Sequence, residues 1–217
     1  MYCYPERITD GLIALIRDTN QIVNYIDMPL QHSDGAVLRR MNRSGDEKSL
    51  TALIAKLRRE IPGIALRTTF IAGFPGETEA QWQSLAEFAY KTRFTHAGTF
   101  AYSREEGTAA ADFAGQVDER EKRRRADILD EQQALVKAEY LASLCGKTVD
   151  VLVERVSADG GVRACAGRGY MSAPEVDFYI VFEDARAAYD VGDFVCVMII
   201  ESDGETLYGE VSERENA

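Results

Sequence analysis

The sequence predicts an α/β fold with a parallel sheet, followed by a small all-β barrel. Up to Tyr102, strand-like runs alternate with segments of helical periodicity, as in consecutive strand–helix–strand units. From Lys147 onward only β-prone runs remain, and turn signals separate them. The α/β part has three predicted strands. Closing a parallel barrel takes about eight, so we expect a parallel sheet with right-handed crossovers.

The chain begins with a predicted helix, a strand and a second helix. Ile8 to Ile16 carries apolar residues at helical spacing. Gln21 to Leu30 is predicted to be a strand that ends at Pro29. Leu50 to Leu57 again has helical spacing, and Pro62-Gly63 ends that helix.

A glycine turn connects the next predicted strand to a helix. Thr68 to Ala72 reads as a buried strand, and Gly73 and Gly76 follow it. A helix is predicted to begin at Thr78, where Gln81 completes a capping box. Glycines allow a ligand to approach the backbone, and ligands of parallel α/β folds bind at the carboxyl ends of strands. The turn is therefore a candidate cofactor edge.

A strand, a linker and a long helix complete the first part of the chain. Thr95 to Tyr102 is the strand, and the alanine-rich segment Thr108 to Gly115 is a predicted linker. Asp118 with Glu121 predicts an acidic capping box for a helix that ends at Gly146. The apolar stripe predicted for this helix consists of Ile128, Leu129, Leu135, Val136, Tyr140 and Leu144.

A basic run, Lys122 to Arg125, lies near the start of the long helix. Such a run is usually a solvated helix face, and an RNA contact is the alternative. We favour the solvated face.

The C-terminal part contains five β-prone runs in about seventy residues, which is typical of a small OB-like barrel. Turn signals separate the runs at Asp159–Gly161, Gly192-Asp193 and Asp203-Gly204. The predicted strands are Thr148–Val153, Val162–Ala166, Phe178–Phe182, Phe194–Ile200 and Thr206–Val211.

Cysteine and histidine usage predicts no metal site within the chain. The four cysteines are scattered and form neither a C-x-x-C nor a C-x-x-x-C-x-x-C group, so we expect reduced thiols. His32 and His96 are too separate to suggest a metal on their own. The cysteines are Cys3, Cys145, Cys165 and Cys196.

Negative charge is concentrated in the C-terminal part. Residues 142–217 carry 6 Lys+Arg against 15 Asp+Glu, a net of −9, which leaves −2 of the total −11 for residues 1–141. An acidic module repels phosphate and favours a basic partner, although solubility alone also accounts for the charge. The sequence has no apolar run long enough to span a membrane and no signal peptide at its start, so we expect a cytoplasmic protein without a membrane partner.

Several motifs together resemble the radical S-adenosylmethionine (radical SAM) methylthiotransferase family. Gly73 to Thr78 reads Gly-Phe-Pro-Gly-Glu-Thr, which resembles the fifth-strand segment of that family, and the β part resembles a TRAM domain. The other matching segments follow the family's order: Tyr4-Pro5 with Ile8–Asp10, Asp27–His32 with Val37–Met41, Tyr102-Ser103 with Glu106–Thr108, and Gly167-Arg168 with Ala173–Asp177.

The resemblance implies a fold class and domain limits. Residues 1–115 are expected to form the later half of a radical SAM partial TIM-like (βα) barrel. Residues 116–145 are expected to be a connecting helix, and residues 146–217 a small all-β, OB-like TRAM barrel.

Three features distinguish two branches of the family. Gln31-His32, Arg67 and Ala173–Asp177 resemble the branch that methylthiolates an aspartate of a small-subunit ribosomal protein. The tRNA-modifying branch more often has Gln-Ser-Gly after the same strand and lacks this arginine. Ribosomal proteins are basic, whereas a tRNA-binding module is expected to be positive. The acidic C-terminal part therefore favours a basic ribosomal protein as the partner, with tRNA as the alternative.

The resemblance implies cofactors whose ligands this chain lacks. Members of the family use S-adenosylmethionine, two [4Fe–4S] clusters and an electron donor for cluster reduction. A C-x-x-x-C-x-x-C loop binds one cluster, and an N-terminal domain holds the other. The deoxyadenosyl radical removes a β-hydrogen from the substrate aspartate, and a second S-adenosylmethionine supplies the methyl group. Since neither cysteine set is present, we expect the chain to be part of such an enzyme and inactive alone. A non-catalytic remnant with an unpaired strand edge is a third hypothesis.

The resemblance also implies site residues, none of them catalytic or metal-binding. The predicted cofactor-binding residues are Gln31, His32, Arg67, Gly73, Phe74, Pro75, Gly76, Glu77, Phe100 and Tyr102. The predicted substrate-binding residues are Arg168, Glu175 and Asp177.

Structural roles remain open for most of these side chains. Arg67 is a candidate to bind a carboxylate, of the cofactor or of the substrate, but equally to form an ion pair inside the barrel. Core packing is favoured over cofactor contact for Phe100 and Tyr102. A purely structural hydrogen-bonding role is open for Gln31 and His32, and a helix N-terminal role for Glu77. Arg168, Glu175 and Asp177 are equally candidates for an ion pair within their own hairpin.

Overall fold

The computed structural model describes residues 2–159, 162–186 and 188–212. The chain divides into two compact units, Met1–Val136 and Lys137–Ala217. This boundary lies within the long helix, so the helix contributes residues to both units. The domain limits expected from the sequence, 1–115, 116–145 and 146–217, stay a prediction.

The first unit alternates strands with helices around a parallel sheet, as predicted. Its strands are β1 (Tyr25–Asp27), β2 (Ala65–Ala72) and β3 (His96–Ala101), in the order β1-β2-β3. Its helices are α1 (Asp10–Asp18), α2 (Gly35–Arg40), α3 (Glu47–Glu60), α4 (Glu79–Thr92) and α5 (Glu119–Ala142), of which α5 continues into the second unit. Short 3-10 helices occur at Pro5–Arg7 and Ala109–Asp112.

The structure corrects two local predictions. The strand expected over Gln21–Leu30 is limited to β1, because the preceding backbone is turned: Ile22 N–H donates to Thr19 O, and Tyr25 N–H donates to Val23 O. Helix α2 was not predicted. It has six residues, too few to show a helical period, and the Asp34 side chain caps its N-terminus.

The two faces of the parallel sheet differ in burial. On β2, Leu66, Phe70 and Ala72 are buried in the core beneath the helices, where Phe70 meets Phe88 and Phe94 edge to face. Alternate residues of a strand point to opposite faces. Arg67, Thr69 and Ile71 therefore share the other face, and they are only partly buried. That second face is where the sheet can meet a ligand.

Five strands of the second unit form a closed barrel, which confirms the predicted all-β module. Its strands are β4 (Thr148–Asp159), β5 (Val162–Arg168), β6 (Ile180–Glu183), β7 (Phe194–Ser202) and β8 (Leu207–Val211), in the order β4-β5-β6-β8-β7. Neighbours are antiparallel except β6 and β8. Of the predicted turn at Asp159–Gly161, Gly160 and Gly161 lie outside the described residues.

The predicted apolar stripe of the long helix is partly confirmed. Leu129, Val136 and Leu144 are buried as expected and Tyr140 is half-buried, but Ile128 is 37% and Leu135 is 64% exposed. The predicted capping box is also incomplete. The Asp118 carboxylate accepts a hydrogen bond from Arg120 N–H, whereas the Glu121 carboxylate pairs with arginines further along the helix. Within the described residues, no helix has the length and hydropathy to cross a membrane.

Candidate functional site

The predicted cofactor-binding residues separate into two groups in the structure. Gln31 and Phe100 line an open groove on the partly buried face of the parallel sheet. His32 and Glu77 belong to a buried polar network beyond the carboxyl end of β2. The two groups offer different chemistry, because only the groove is accessible to a ligand.

The groove is amphipathic and has a volume of about 360 Å³. Its lining combines aromatic rings with polar and cationic side chains, a composition suited to a nucleoside that carries charged substituents. We name this cavity the sheet groove. The lining residues that matter for its chemistry are Tyr2, Tyr4, Gln31, Arg43, Thr69 and Phe100.

Gln31 reaches the sheet groove through an unusual backbone conformation. Its φ is +68°, in the left-handed region that non-glycine residues rarely adopt. Its N–H donates to Thr69 O at 2.8 Å, and its carbonyl accepts from Ile71 N–H at 2.8 Å, so β2 holds the strained residue on both sides. The side-chain amide forms no hydrogen bond with the described residues and is available to a ligand.

Phe100 and Tyr102 have opposite environments. Phe100 is 63% exposed on the sheet face, so the favoured prediction of core packing is wrong for this residue. Tyr102 is buried against Val37 and Phe74, with ring centroids of Tyr102 and Phe74 5.3 Å apart, so core packing is correct there. Phe74 also contacts the ring of Phe113.

Arg67 forms an ion pair with Asp27 of the neighbouring strand. The two residues are in register, and Arg67 Nη1 lies 3.2 Å from Asp27 Oδ2. Both side chains are largely buried, with 17% and 9% of their areas exposed. The ion pair inside the sheet, considered as the alternative to carboxylate binding, is therefore present.

Glu77 is the centre of the buried polar network. Its two carboxylate oxygens accept from Gly73 N–H at 3.1 and 3.0 Å, and Arg125 Nη1 donates to Oε1 at 2.8 Å. His32 Nε2 lies 3.5 Å from Oε2, which is longer than a well-formed hydrogen bond. The side chains of His32 and Glu77 are fully buried. The network closes the turn after β2 with internal partners.

The tautomer of His32 follows from its neighbour. Asp34 N–H donates to His32 Nδ1 at 2.9 Å, so Nδ1 is the acceptor and the proton of the neutral ring is on Nε2. That Nε2–H faces the Glu77 carboxylate. All three described neighbours of this carboxylate are therefore donors, as a buried anion requires.

The two turn glycines admit side chains of the protein itself. Gly73 has φ +77°, and a Cβ there would lie 2.4 Å from Lys122 Cγ. Gly76 has φ +75°, and a Cβ there would lie 2.0 Å from Arg40 Nη1. The expectation that these glycines expose the backbone to a ligand is corrected: Lys122 and Arg40 occupy the space.

The basic run at the start of α5 is a solvated face only in part, because two of its four residues are buried. Lys122 and Arg125 are 1% and 5% exposed, whereas Arg123 is exposed. Lys122 Nζ pairs with Glu119 at 2.6 Å and lies 5.0 Å from the centroid of the Tyr102 ring. The helical spacing of residues in α5 contained a signal that could have identified these buried positions. Residues 122, 125, 129, 133 and 136 repeat at helical intervals and are all buried, but two of them are cationic.

Glu121 connects the exposed and buried arginines of α5. It accepts hydrogen bonds from Arg124 Nη2 at 2.8 Å and from Arg125 Nε at 2.7 Å. These two bonds, first that of Arg124 and then that of Arg125, lower the pKa of Glu121 to about 2. Arg125 contacts Glu79 as well, so three carboxylates surround one guanidinium.

The predicted substrate-binding residues do not form a self-contained ion pair. Arg168 Nε donates to Glu154 of β4 at 2.7 Å. The Asp177 carboxylate accepts from Ala173 N–H at 2.7 Å and closes the loop between β5 and β6. Glu175 lies in that loop with φ +66°. The hairpin ion pair is therefore wrong, since the partner of Arg168 comes from a neighbouring strand.

The residues present suit one implied cofactor and not the other. The sheet groove offers an exposed ring and an available amide, which fit S-adenosylmethionine. The chain does not offer a comparable set of ligands for an iron–sulfur cluster. Within the described parts of the chain, no group of three Cys, His, Asp or Glu side chains is arranged to hold a metal ion. The four cysteines are separate free thiols, so the chain does not fit a [4Fe–4S] cluster.

Two family models match the chain in consecutive regions. Residues 1–89 match the radical SAM superfamily, and residues 145–211 match the TRAM domain. Among solved structures, coproporphyrinogen III oxidase (HemN) from Escherichia coli, a radical SAM enzyme, superimposes with a TM-score of 0.50 at 14% identity, over 78% of this chain and 45% of that chain. At this identity the likeness supports the fold alone.

Curated relatives match over almost the whole chain. Three of them, each described as ribosomal protein uS12 methylthiotransferase RimO, illustrate the match. The relative from Desulfitobacterium hafniense (strain Y51) is 45% identical over 97% of this chain and 46% of its own length. Those from Geotalea uraniireducens (strain Rf4) and Pelobacter propionicus (strain DSM 2379) are each 44% identical, over 97% and 99% of this chain and 46% and 47% of their own lengths. The chain thus spans about half the length of the curated relatives it matches.

Proposed function

The chain belongs to the radical SAM methylthiotransferase family, and from this premise we propose that it is part of an enzyme that adds a methylthio group to the β-carbon of an aspartate in a basic small-subunit ribosomal protein. One observation carries the proposal. Identity of 45% extends over 97% of the chain, through both the parallel sheet and the β-barrel. The names of the relatives point to ribosomal protein uS12 as the substrate.

The sheet groove is the proposed binding surface for S-adenosylmethionine. Phe100 presents an exposed ring that can pack against an adenine base, and the Gln31 amide can hydrogen-bond the polar groups of the nucleoside. Arg67 lies on the same face of the sheet, two residues before Thr69, where Asp27 pairs with its guanidinium. A cofactor carboxylate would have to compete with Asp27 for this arginine, so we assign Arg67 a positioning role beside the groove.

The remaining predicted cofactor residues take a supporting role in this proposal. They anchor the turn after β2 and the segment that carries Gln31, and the Glu77 carboxylate and His32 Nδ1 accept hydrogen bonds from within the protein. These residues are His32, Gly73, Phe74, Pro75, Gly76, Glu77 and Tyr102.

The chemistry of the reaction comes from groups that the chain does not itself hold. Bound S-adenosylmethionine and a reduced cluster supply the radical that removes hydrogen from the substrate aspartate. The cysteines of this chain are not placed to ligate a cluster, so two [4Fe–4S] clusters and an electron donor belong to the proposed complete enzyme. The contribution of this chain is to bind and orient the cofactor and substrate.

Charge favours a protein over a nucleic acid as the partner of the TRAM barrel. Residues 142–217 carry a net charge of −9, which attracts a basic ribosomal protein and repels a phosphate backbone. Arg168, Glu175 and Asp177 stay proposed substrate contacts near the β5–β6 loop. A ribosomal substrate also implies a cytoplasmic location.

The test is a reaction with both candidate substrates. The complete enzyme, encoded by the gene that contains this chain, is reconstituted with iron and sulfide and incubated with S-adenosylmethionine, a reductant and either uS12 or bulk tRNA. Mass spectrometry should find a methylthio group on one aspartate of uS12 and none on tRNA. Modification of tRNA without modification of uS12 would overturn the proposal. The 217-residue chain alone is the control and should modify neither.

A further inference from the structure

We propose that the outer face of β7, with the cavity beside it, is a docking surface for a lysine- or arginine-rich segment of a protein. The inference rests on the proposed function and adds to it a location and a mode of recognition. The outward residues of β7 are Phe194, Cys196, Met198 and Ile200, and we name them the β7 ridge.

The β7 ridge is an apolar surface where a polar one is expected. Val195, Val197 and Ile199 point into the barrel and are buried. Their neighbours on the opposite face of the strand are usually polar, because that face meets water. Phe194 is instead 70% exposed and Ile200 is 51% exposed. Contiguous exposed apolar residues of this kind mark an interaction site.

Carboxylates flank the ridge on both neighbouring strands. Asp150 of β4 is in register with Cys196, and Glu210 of β8 is in register with Met198. The carboxylate of Glu210 forms no ion pair with the described residues, although it is exposed. The face is therefore an apolar strip between two acidic edges.

A cavity of about 520 Å³ adjoins the end of the ridge at Phe194. Phe194, Cys196 and Val211 supply apolar lining, and Tyr189 adds an aromatic residue. Glu183, at the end of β6, is also part of the lining, and it forms no ion pair with the described residues. Of the other charged lining residues, Asp184 pairs with Arg163, and Arg186 is an exposed cation at the rim that a bound basic segment must avoid. The cavity thus combines apolar walls with an available carboxylate.

This combination selects long cationic side chains. Lysine and arginine have apolar stems and charged heads, so a stem can lie along the ridge or in the cavity while its head reaches Glu183 or Glu210. The net charge of −9 on residues 142–217 adds long-range attraction for a basic segment. The same charge opposes an RNA backbone and a second copy of this chain. A basic protein segment is therefore the occupant that the surface fits.

The experiment measures binding of the complete enzyme to uS12 at several salt concentrations. Phe194→Ser should weaken binding about tenfold or more, as expected for an exposed aromatic anchor. The double variant Glu183→Gln with Glu210→Gln should weaken binding less at high salt than at low salt, because it removes charge. The matched controls are Leu135→Gln, an exposed leucine of α5, and Glu106→Gln, an exposed glutamate, and both should bind as the wild type does.

The outcomes separate this inference from the proposed function. If the wild type binds and modifies uS12 but Phe194→Ser and the double variant bind equally well, the docking surface is wrong and the proposed function stands. If the wild type neither binds nor modifies uS12, the proposed function fails and the inference with it. Binding of tRNA that the same substitutions weaken would also overturn the inference. Thermal unfolding should show that all variants are folded, since each replaced side chain is exposed.

Discussion

The guanidinium of Arg125 donates to the carboxylate of Glu77 at 2.8 Å, and both side chains are buried. This ion pair joins helix α5 to the turn that follows β2, across 48 residues of sequence. Glu77 in turn accepts from Gly73 N–H, so the arginine holds the turn through a carboxylate. The sequence motif after β2 is therefore stabilised from inside the protein.

Removing Arg125 should destabilise the first unit strongly. Arg125→Ala leaves the Glu77 carboxylate buried without its cationic partner, and breaking a buried ion pair from one side costs about 3–5 kcal/mol. The measurement is the free energy of unfolding from urea denaturation of the purified chain. Arg123→Ala, on the exposed face of the same helix, is the control and should change stability by less than about 0.5 kcal/mol. Equal effects of the two substitutions would contradict the network.

The two turn glycines should differ in their tolerance of alanine. Both have positive φ, which costs an alanine about 1–2 kcal/mol. At Gly73 the new Cβ also meets the Cβ and Cγ of Lys122, which are close to the backbone and cannot move away easily. At Gly76 it meets only the end of the flexible Arg40 side chain. Gly73→Ala should therefore lower the melting temperature more than Gly76→Ala.

Gly98 provides the control for that comparison. A Cβ at this position meets no heavy atom within 4 Å, so Gly98→Ala should have little effect on the melting temperature. A larger decrease in melting temperature for Gly76→Ala than for Gly73→Ala would show that Lys122 does not pack against Gly73 as described.

The contribution of Glu121 to stability should disappear in acid. Its pKa is about 2 in the folded protein, lower than the ordinary value of 4.5, because Arg124 and Arg125 donate to it. Because the pKa of Glu121 is lower in the folded protein, its ionised carboxylate stabilises the fold at pH values above 4.5. That stabilisation is lost as the pH falls from 4.5 towards 2. Glu121→Gln should cost about 0.5–1 kcal/mol at neutral pH, since this ion pair is partly exposed to solvent.

The measurement is urea denaturation of the wild type and Glu121→Gln between neutral pH and pH 2. The difference between the two proteins should shrink as the pH falls through this range. A difference that stays constant down to the lower limit would show that the charge of Glu121 is not the source of the effect.

Phe100 should affect cofactor binding without affecting stability. Its ring is 63% exposed, so Phe100→Ala removes little buried area and should leave the urea midpoint unchanged. Loss of an aromatic packing partner should weaken binding of S-adenosylmethionine to the complete enzyme by about 0.5–1.5 kcal/mol, or up to about tenfold. Equilibrium dialysis measures this binding without requiring turnover. Tyr102→Phe is the control in the core, and it should leave cofactor binding unchanged.

Local signals in the sequence predict the order of the strands and of the longer helices, but not the six-residue helix α2. The capping box of Thr78 and Gln81 forms as predicted, because both partners lie within one helical turn. The barrel strands are predicted correctly because β-prone runs and the turn signals between them are local features of the sequence. The strand predicted before Pro29 is too long. The turns that shorten it depend on individual hydrogen bonds, which the periodicity of the sequence does not reveal.

The sequence by itself determined the order of the strands and of the longer helices, the acidic character of the β-barrel and, through the ordered motifs, the family. Only the tertiary structure decided what the Gly73–Glu77 turn contacts. Its glycines admit Lys122 and Arg40, and its glutamate binds Arg125. The physical reason is that backbone periodicity is a local property, whereas the neighbour of a glycine or a buried carboxylate comes from packing between segments far apart in the chain. For the same reason Phe100 is exposed while Tyr102, two residues later, is buried.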